Sequence, residues 1–179
     1  MYAKNGGISL GVLPSRVGVR APRLPPAIRR CLHQILFIAP LFWFMELLQN
    51  QLYLWVTGSY GWGYLPGPDG LPTAWYSLLS VPLWAITIAT FSLLDGIFER
   101  QRTPYLLRTV IAGVVGFAGE FTAGFVGDRY LHHCLQIWPK SNLVYISLTA
   151  LPFWCADYLI FHLLTRELRS AHAYRASIG

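Results

Sequence analysis

The stretch LLRTVIAGVVGFAGEFTAGFV, from Leu106 to Val126, decides the fold class of this chain. Apart from Arg108 and Glu120 it contains no charged residue, and its length matches the roughly 20 residues that a helix needs to cross a bilayer. Three further segments share these properties: Cys31–Val56, Trp75–Phe98 and Leu143–Leu164. The sequence therefore predicts an all-α membrane protein, a bundle of four transmembrane helices.

The composition of the whole chain favours the bilayer as its solvent. Hydrophobic residues make up 54% of the 179 residues and charged residues only 12%, a balance that water-soluble domains seldom have. The net charge of +6 comes from basic residues beside apolar segments, which argues for orientation in a membrane and against nucleic-acid binding. The lipid bilayer is thus the first partner that the sequence predicts.

Basic residues are distributed unevenly between the connections of the predicted helices. Of the 14 Lys and Arg residues, only Arg129 and Lys140 fall on the side of the first and third connections. By the positive-inside rule, both termini face the cytoplasm or the mitochondrial matrix. We predict a basic N-terminal arm (1–30), a four-helix transmembrane domain (31–166) and a short basic C-terminal tail (167–179), in the mitochondrial inner membrane or a bacterial plasma membrane.

The N-terminal arm contains no acidic residue and carries several arginines among glycines and prolines. Those that we expect to contact lipid or a partner are Arg16, Arg20, Arg23, Arg29 and Arg30. This composition is typical of an organellar targeting segment or a basic arm, and it provides no core of its own. We therefore expect anionic lipid, or other subunits of a hetero-oligomeric membrane complex, to bind the arm.

Small residues form a seam on one face of the third helix. Gly113, Gly116, Glu120, Gly124 and Gly127 follow one another at three- or four-residue steps and therefore share this face. Small residues let a neighbouring helix approach closely. The seam thus predicts a helix-packing face and directs Glu120 into the protein rather than toward lipid.

Each predicted span carries an acidic residue, and an ionisable group inside hydrocarbon needs an explanation. Glu46 belongs to a polar stripe of the first helix, together with Gln49, Asn50 and Tyr53. Glu46 and Glu120 both lie in the outer half of their spans. We therefore expect the two carboxyl groups to face each other or to share a partner.

The acids of the second and fourth spans receive different interpretations. Asp95 lies at the inner end of its span, close in sequence to Glu99 and two arginines, and is interpreted as an interfacial residue. Asp157 lies nearer the inner half, where contact with Gln34 or His33 is expected.

Two explanations stay open for the intramembrane polar residues Glu46, Gln49, Asn50, Glu120 and Asp157. They form either a buried network that fixes the register of the helices, or a site that accepts a proton, a cation or a polar solute. Contact with a partner subunit is a third alternative.

Aromatic residues cluster in and next to the outer connections, where they predict an interfacial belt. The belt residues are Tyr53, Trp55, Tyr60, Trp62, Tyr64, Trp75, Tyr76, Tyr130, Trp138 and Tyr145. The first outer connection is punctuated by Gly and Pro, and Pro68-Asp69-Gly70 predicts a tight turn in a loop that folds back on the membrane surface.

Motifs for metal binding and catalysis are missing from the sequence. His132-His133-Cys134 is interpreted as an exposed loop cluster, because a second ligand pair at suitable spacing is lacking. The cysteines Cys31, Cys134 and Cys155 are an odd count and are interpreted as inert thiols. Paired histidine boxes, a phosphate-binding glycine loop and a nucleophile elbow are also lacking. We therefore predict no metal, no cofactor and no catalytic residue.

Several short stretches carry a family resemblance. They are Pro104-Tyr105-Leu106-Leu107-Arg108, Gly119-Glu120-Phe121-Thr122-Ala123-Gly124-Phe125, Trp138 with Ser141, and Leu151-Pro152-Phe153-Trp154-Cys155. With Glu46 and Glu99-Arg100, they make residues 40–170 resemble the ABC-transporter type IV (CmpB-like) family, which includes the vertebrate transmembrane protein 229 group. The resemblance implies a four-helix membrane fold and singles out Glu120, but it names no substrate.

One departure from the family lies between the last two helices. Family members tend to have Trp-Asp-Tyr-Ser where this chain has Trp138-Pro139-Lys140-Ser141, so the resemblance carries over no role for that loop acid.

Three functions stay open on the sequence. The leading prediction is a non-catalytic subunit with a structural or assembly role in a larger membrane protein complex. The first alternative is a small transporter or channel component in which Glu46 and Glu120 handle a proton, a cation or a polar solute, and it predicts a hydrated cavity between the first and third helices. The second is a lipid-modifying enzyme, which needs a headgroup-sized pocket and a second catalytic group beside a carboxylate base.

Overall fold

The computed structural model of the protein describes residues 24–66, 72–78, 80–131 and 136–178. Four helices dominate this part of the chain: α1 (Pro26–Thr57), α2 (Ser80–Gln101), α3 (Tyr105–Leu131) and α4 (Leu151–Ile178). Each contains a segment long and apolar enough to cross a membrane. The prediction of an integral membrane protein with four such helices is confirmed.

The first helix begins earlier than the predicted span. Pro26 occupies the first turn of α1, where a fixed φ and a missing N–H are tolerated because that N–H has no intrahelical partner. Arg29 and Arg30 therefore belong to α1 and are exposed, whereas the arm was predicted to extend to residue 30.

The fourth helix begins later than the predicted span and ends later. Leu143 lies in a turn, and a short 3₁₀ helix (Leu148–Ala150), capped by Ser147, precedes α4. The predicted tail from residue 167 is helical as far as Ile178. Asp157 consequently lies only two turns from the start of its helix.

A small antiparallel sheet lies at one end of the bundle, where the sequence predicted only loops in an all-α fold. Its strands are β1 (Gly63–Pro66), β2 (Pro72–Ala74) and β3 (Gln136–Ile137), in the order β2-β1-β3. Gly63 pairs with Ile137, and Tyr64 pairs with both Gln136 and Ala74. The β1–β3 pairing holds the α1–α2 and α3–α4 connections at the same end of the bundle, which we call the sheet end.

The start of α1 and the ends of α2 and α4 meet at the opposite end of the bundle. The Ser92 hydroxyl of α2 donates a hydrogen bond to Gln34 of α1. Arg169 of α4 forms an ion pair with Asp95 of α2.

The helices pack as two close pairs, α1 with α2 and α3 with α4, while α2 and α3 approach each other little. In the first pair the rings of Phe42 and Trp84 meet edge to face at 5.2 Å. In the second pair Gly113 lies against Cys155 and Gly116 against Trp154, so glycine in α3 makes room for α4. Large apolar side chains cover the outer surface of the bundle, as expected for contact with lipid.

The two helix pairs repeat one pattern, and we call them the repeat halves. The first turns of α2 and α4 carry similar sequences, Val81-Pro82-Leu83-Trp84 and Leu151-Pro152-Phe153-Trp154. Buried residues follow at matching steps, namely Ile88, Phe91 and Asp95 in α2 and Tyr158, Phe161 and Thr165 in α4. Glu46 of α1 and Glu120 of α3 also occupy matching positions. Each is followed one turn later by a buried residue, which is Asn50 in α1 and Gly124 in α3.

The glycine seam gives a first testable prediction. In Gly116→Ala the new methyl group collides with the indole of Trp154, so α3 and α4 are forced apart. Overpacking of this kind typically lowers the free energy of unfolding by about 1–3 kcal/mol. Unfolding of the purified protein by SDS in mixed micelles measures the loss.

Gly119→Ala is the matched control, because a Cβ atom at Gly119 meets open space. Equal stabilities of Gly116→Ala and Gly119→Ala would contradict a packing role for Gly116.

Candidate functional site

A cavity of about 270 Å³ lies among the helices, toward the sheet end. Three carboxyl groups line it: Glu46 from α1, Glu120 from α3 and Asp157 from α4. The sequence suggested that Glu46 and Glu120 face each other but placed Asp157 nearer the other end. Because α4 begins only at Leu151, Asp157 lies near the sheet end of the helix and lines the same cavity as the two glutamates.

Two tryptophans hold the carboxylate of Glu46, which is buried. The indole Nε1–H of Trp62 donates to Oε1 at 3.2 Å, and that of Trp84 donates to Oε2 at 2.9 Å. Trp62 lies just before β1 and Trp84 lies in α2. Each oxygen of Glu46 therefore accepts one indole hydrogen bond from within its own repeat half.

Glu120 repeats this arrangement in the second half of the chain. Trp138 donates to Oε1 at 2.9 Å and Trp154 donates to Oε2 at 2.7 Å. The side-chain amide of Gln136 adds a third hydrogen bond to Oε1, at 2.8 Å. Bonds from N–H to an ionised carboxylate are stronger than bonds between neutral groups, so the indoles fix both carboxyl groups in place.

The four indoles form two pairs that lie between Glu46 and Glu120. The rings of Trp62 and Trp138 are 5.0 Å apart, and those of Trp84 and Trp154 are 5.6 Å apart, both tilted by 38°. Each pair contains one residue from each repeat half. The two carboxyl groups thus share no hydrogen-bond donor among the described residues, but their donors are in ring contact.

Asp157 has a different partner from the one expected. Its Oδ1 accepts a hydrogen bond from the amide of Gln49 at 2.6 Å. The partner predicted from the sequence was Gln34 or His33, but Gln34 is bonded to Ser92 and His33 is exposed near the start of α1.

Asn50 does not line the cavity but binds backbone groups of the α1–α2 connection at the sheet end. Its side-chain amide donates to the carbonyl oxygens of Trp62, at 2.9 Å, and Trp75, at 3.2 Å. Its Oδ1 accepts from the backbone N–H of Gly61 at 3.0 Å. Asn50 thus ties the segment that carries Trp62 to α1 and positions one donor of Glu46.

The prediction of an interfacial position is wrong for several residues of the aromatic belt. Trp62, Tyr64 and Trp138 are almost fully buried, and all three line the cavity. Trp55 and Tyr130, by contrast, are exposed as an interfacial position requires.

The four tryptophans were not predicted as part of the site. A signal for Trp84 and Trp154 is the recurrence of an apolar-Pro-apolar-Trp sequence, once at Val81–Trp84 and once at Leu151–Trp154, whereas Trp62 and Trp138 lie outside this recurrence. Together with Glu46 and Glu120, this recurrence marks the two halves of one site.

Asp95, interpreted as interfacial, is buried at the opposite end of the bundle. Its Oδ1 accepts a hydrogen bond from the Tyr158 hydroxyl at 3.1 Å and lies 2.9 Å from Nδ1 of His162. Its Oδ2 pairs with Arg169 at 2.9 Å, and Arg169 also pairs with Glu99. This cluster joins α2 to α4 and does not line the cavity.

The predicted contact residues Arg16, Arg20 and Arg23 lie outside the described part of the chain, and so does the cluster His132-His133-Cys134, which was interpreted as an exposed loop. Gly124 lies against Tyr145, and Gly127 is buried in α3. Among the described residues, no three His, Cys, Asp or Glu side chains come close enough together to hold a metal ion.

Comparison of the chain with protein-family models, with curated proteins and with solved structures finds no match. The resemblance to the ABC-transporter type IV (CmpB-like) family therefore stays a prediction, and the case for a function depends on the cavity.

Proposed function

We propose that the protein is a small membrane carrier, or the solute-binding component of one, that exchanges a cation for protons at the cavity. One observation carries the proposal: Glu46, Glu120 and Asp157 line this cavity, whereas no Lys, Arg or His of the described chain lines it.

The charge of the cavity determines what it can bind. A carboxylate buried inside a membrane costs several kcal/mol unless a proton or a positive charge neutralises it. With no basic side chain in the lining, neutralisation of the three carboxyl groups depends on protons or a bound cation. A cation that enters therefore competes with protons for the same groups, and this competition is the elementary step of exchange.

The tryptophans stabilise the carboxylates without neutralising their negative charge, so a cation can still bind to them. An indole N–H stabilises a carboxylate by hydrogen bonding but carries no net charge, so the negative potential of the cavity remains. A Lys or Arg in the place of Trp84 or Trp154 would neutralise that potential.

The position of the cavity between the repeat halves also supports a carrier. Membrane transporters built from internal repeats bind their solutes near the interface of the repeats. Here Glu46 comes from one half, and Glu120 and Asp157 come from the other. A change in how the halves pack against each other alters the distances between these groups and therefore the affinity for a cation.

The distribution of the basic residues supports one orientation of the carrier in its membrane. We infer that the opposite end, with Arg29, Arg30 and Arg169, faces the cytoplasm or the matrix, and that the sheet end faces the outer side. The mitochondrial inner membrane and a bacterial plasma membrane both stay predictions.

The structural-subunit role and the lipid-modifying activity also stay predictions. A purely structural subunit has no need of a cavity with three carboxyl groups, which is why we place the carrier first. Native electrophoresis after gentle detergent extraction tests the subunit role, because a subunit migrates within a defined larger complex.

Proton movement in liposomes tests the proposed function. The purified full-length protein is reconstituted with a pH-sensitive dye inside, and Na⁺, K⁺ or an organic ammonium salt is added outside. We expect at least one cation to drive protons out. Glu120→Gln should lower the initial rate at least about tenfold, because it removes one of the three charges for which protons and the cation compete.

Glu167→Gln is the control, because Glu167 is exposed on α4 and does not line the cavity. A wild-type protein that moves no protons with any of these cations, or a Glu120→Gln variant as fast as Glu167→Gln, would refute the carrier.

A further inference from the structure

Exposed residues of α2 and α3 belong to the lining of the cavity. Ile86 of α2 lines the cavity and is 65% exposed, and Gly119 of α3 lines it from an exposed position. These two helices belong to different repeat halves and approach each other little. A solute dissolved among the acyl chains can therefore reach the carboxyl groups without crossing the sheet end.

The walls of the cavity suit an organic cation better than a metal ion. A metal ion requires several oxygen ligands around one point, yet each Glu46 and Glu120 oxygen already accepts an indole hydrogen bond. Apolar side chains such as Leu83, Phe91 and Phe153 form much of the rest of the lining. An ammonium ion binds through charge and through contact with aromatic ring faces, and it needs no oxygen coordination shell.

We propose that the solute is a lipophilic ammonium ion, which enters from the bilayer between α2 and α3. Its positive charge lies among Glu46, Glu120 and Asp157, and its apolar body packs against the indoles and the aliphatic wall. This inference rests on the proposed function, since it names the class of cation that the carrier binds.

Calorimetric titration of the full-length protein in lipid nanodiscs tests the ligand class. The probe is 2-phenylethylammonium, and 2-phenylethanol is the neutral probe of the same shape. We expect the ammonium ion to bind at least about tenfold more tightly than the alcohol, because only the ion gains from the three carboxyl groups. Equal affinities of the two probes would overturn the inference.

Gly119→Phe tests entry from the lipid. The new ring fills the opening between α2 and α3, so association of the ammonium ion, followed by tryptophan fluorescence, should slow about tenfold. Val114→Phe adds the same ring at an exposed α3 position outside the cavity and should leave the rate unchanged. Equal association rates in the two variants would exclude this route.

The carrier function and the ammonium ligand can be refuted independently of each other. Proton movement driven by Na⁺ or K⁺ in a protein that does not bind 2-phenylethylammonium would leave the carrier standing and overturn the ammonium ligand. Binding of the ammonium ion without any proton movement would support the ligand and refute the carrier.

Discussion

Asp95→Ala is expected to lower the free energy of unfolding by about 3 kcal/mol, because it leaves Arg169 and His162 without their buried partner. The Asp95 side chain is 1% exposed and joins α2 to α4 at the opposite end of the bundle. Arg169 is 38% exposed, so water compensates part of its loss and the effect falls at the low end of the range for broken buried pairs. Unfolding by SDS in mixed micelles, followed by tryptophan fluorescence, measures the change.

Glu99→Gln is the control for this prediction. Glu99 pairs with the same Arg169 but is 43% exposed, so its loss should lower stability by less than about 1 kcal/mol. Similar effects of Asp95→Ala and Glu99→Gln would support the interfacial interpretation of Asp95 that the sequence suggested.

Asn50→Ala is expected to have an effect of similar size, about 3 kcal/mol, but at the sheet end. The substitution removes four hydrogen bonds. It leaves the carbonyl groups of Trp62 and Trp75 and the N–H groups of Gly61 and Trp62 without that partner in a buried or half-buried place. Stability is measured in the same way. Hydrogen–deuterium exchange supplies a local readout, because the Gly61 amide should exchange faster.

Thr57→Ala is the control at the same end of α1. The Thr57 hydroxyl donates to the carbonyl oxygens of Tyr53 and Ser59 at an exposed position, where water can replace it. We expect a loss below about 1 kcal/mol. An Asn50→Ala variant no less stable than Thr57→Ala would show that Asn50 does not hold the sheet end to the bundle.

The four helices could be predicted because membrane crossing depends on the length and apolarity of a segment, and both are local properties of the sequence. The sheet could not be predicted, since β3 has only two residues and Pro66 and Pro72 argue against strands. The partner of Asp157 was misjudged because it depends on where α4 begins. Because α4 begins at Leu151 and not at Leu143, Asp157 lies closer to the sheet end than the predicted span implied.

The acids of the candidate site could be named from the sequence, but two of their hydrogen-bond donors, Trp62 and Trp138, could not. Glu46 and Glu120 stand out because a charge in an apolar segment is rare. Tryptophan gives no such signal, because an interfacial indole and a buried one occur in the same positions near helix ends. Only the packing of the two repeat halves shows that Trp62 and Trp138 bind carboxylates inside the protein.

The repeat halves match at some positions of the cavity and differ at others. Two identical subunits must place the same residues on both sides of a two-fold axis. Two halves of one chain are free of that constraint: Asp157 stands where the first half has Thr87, and Gly124 stands where it has Asn50. A solute between the halves therefore meets two carboxyl groups on one side and one on the other, which selects a single orientation for it.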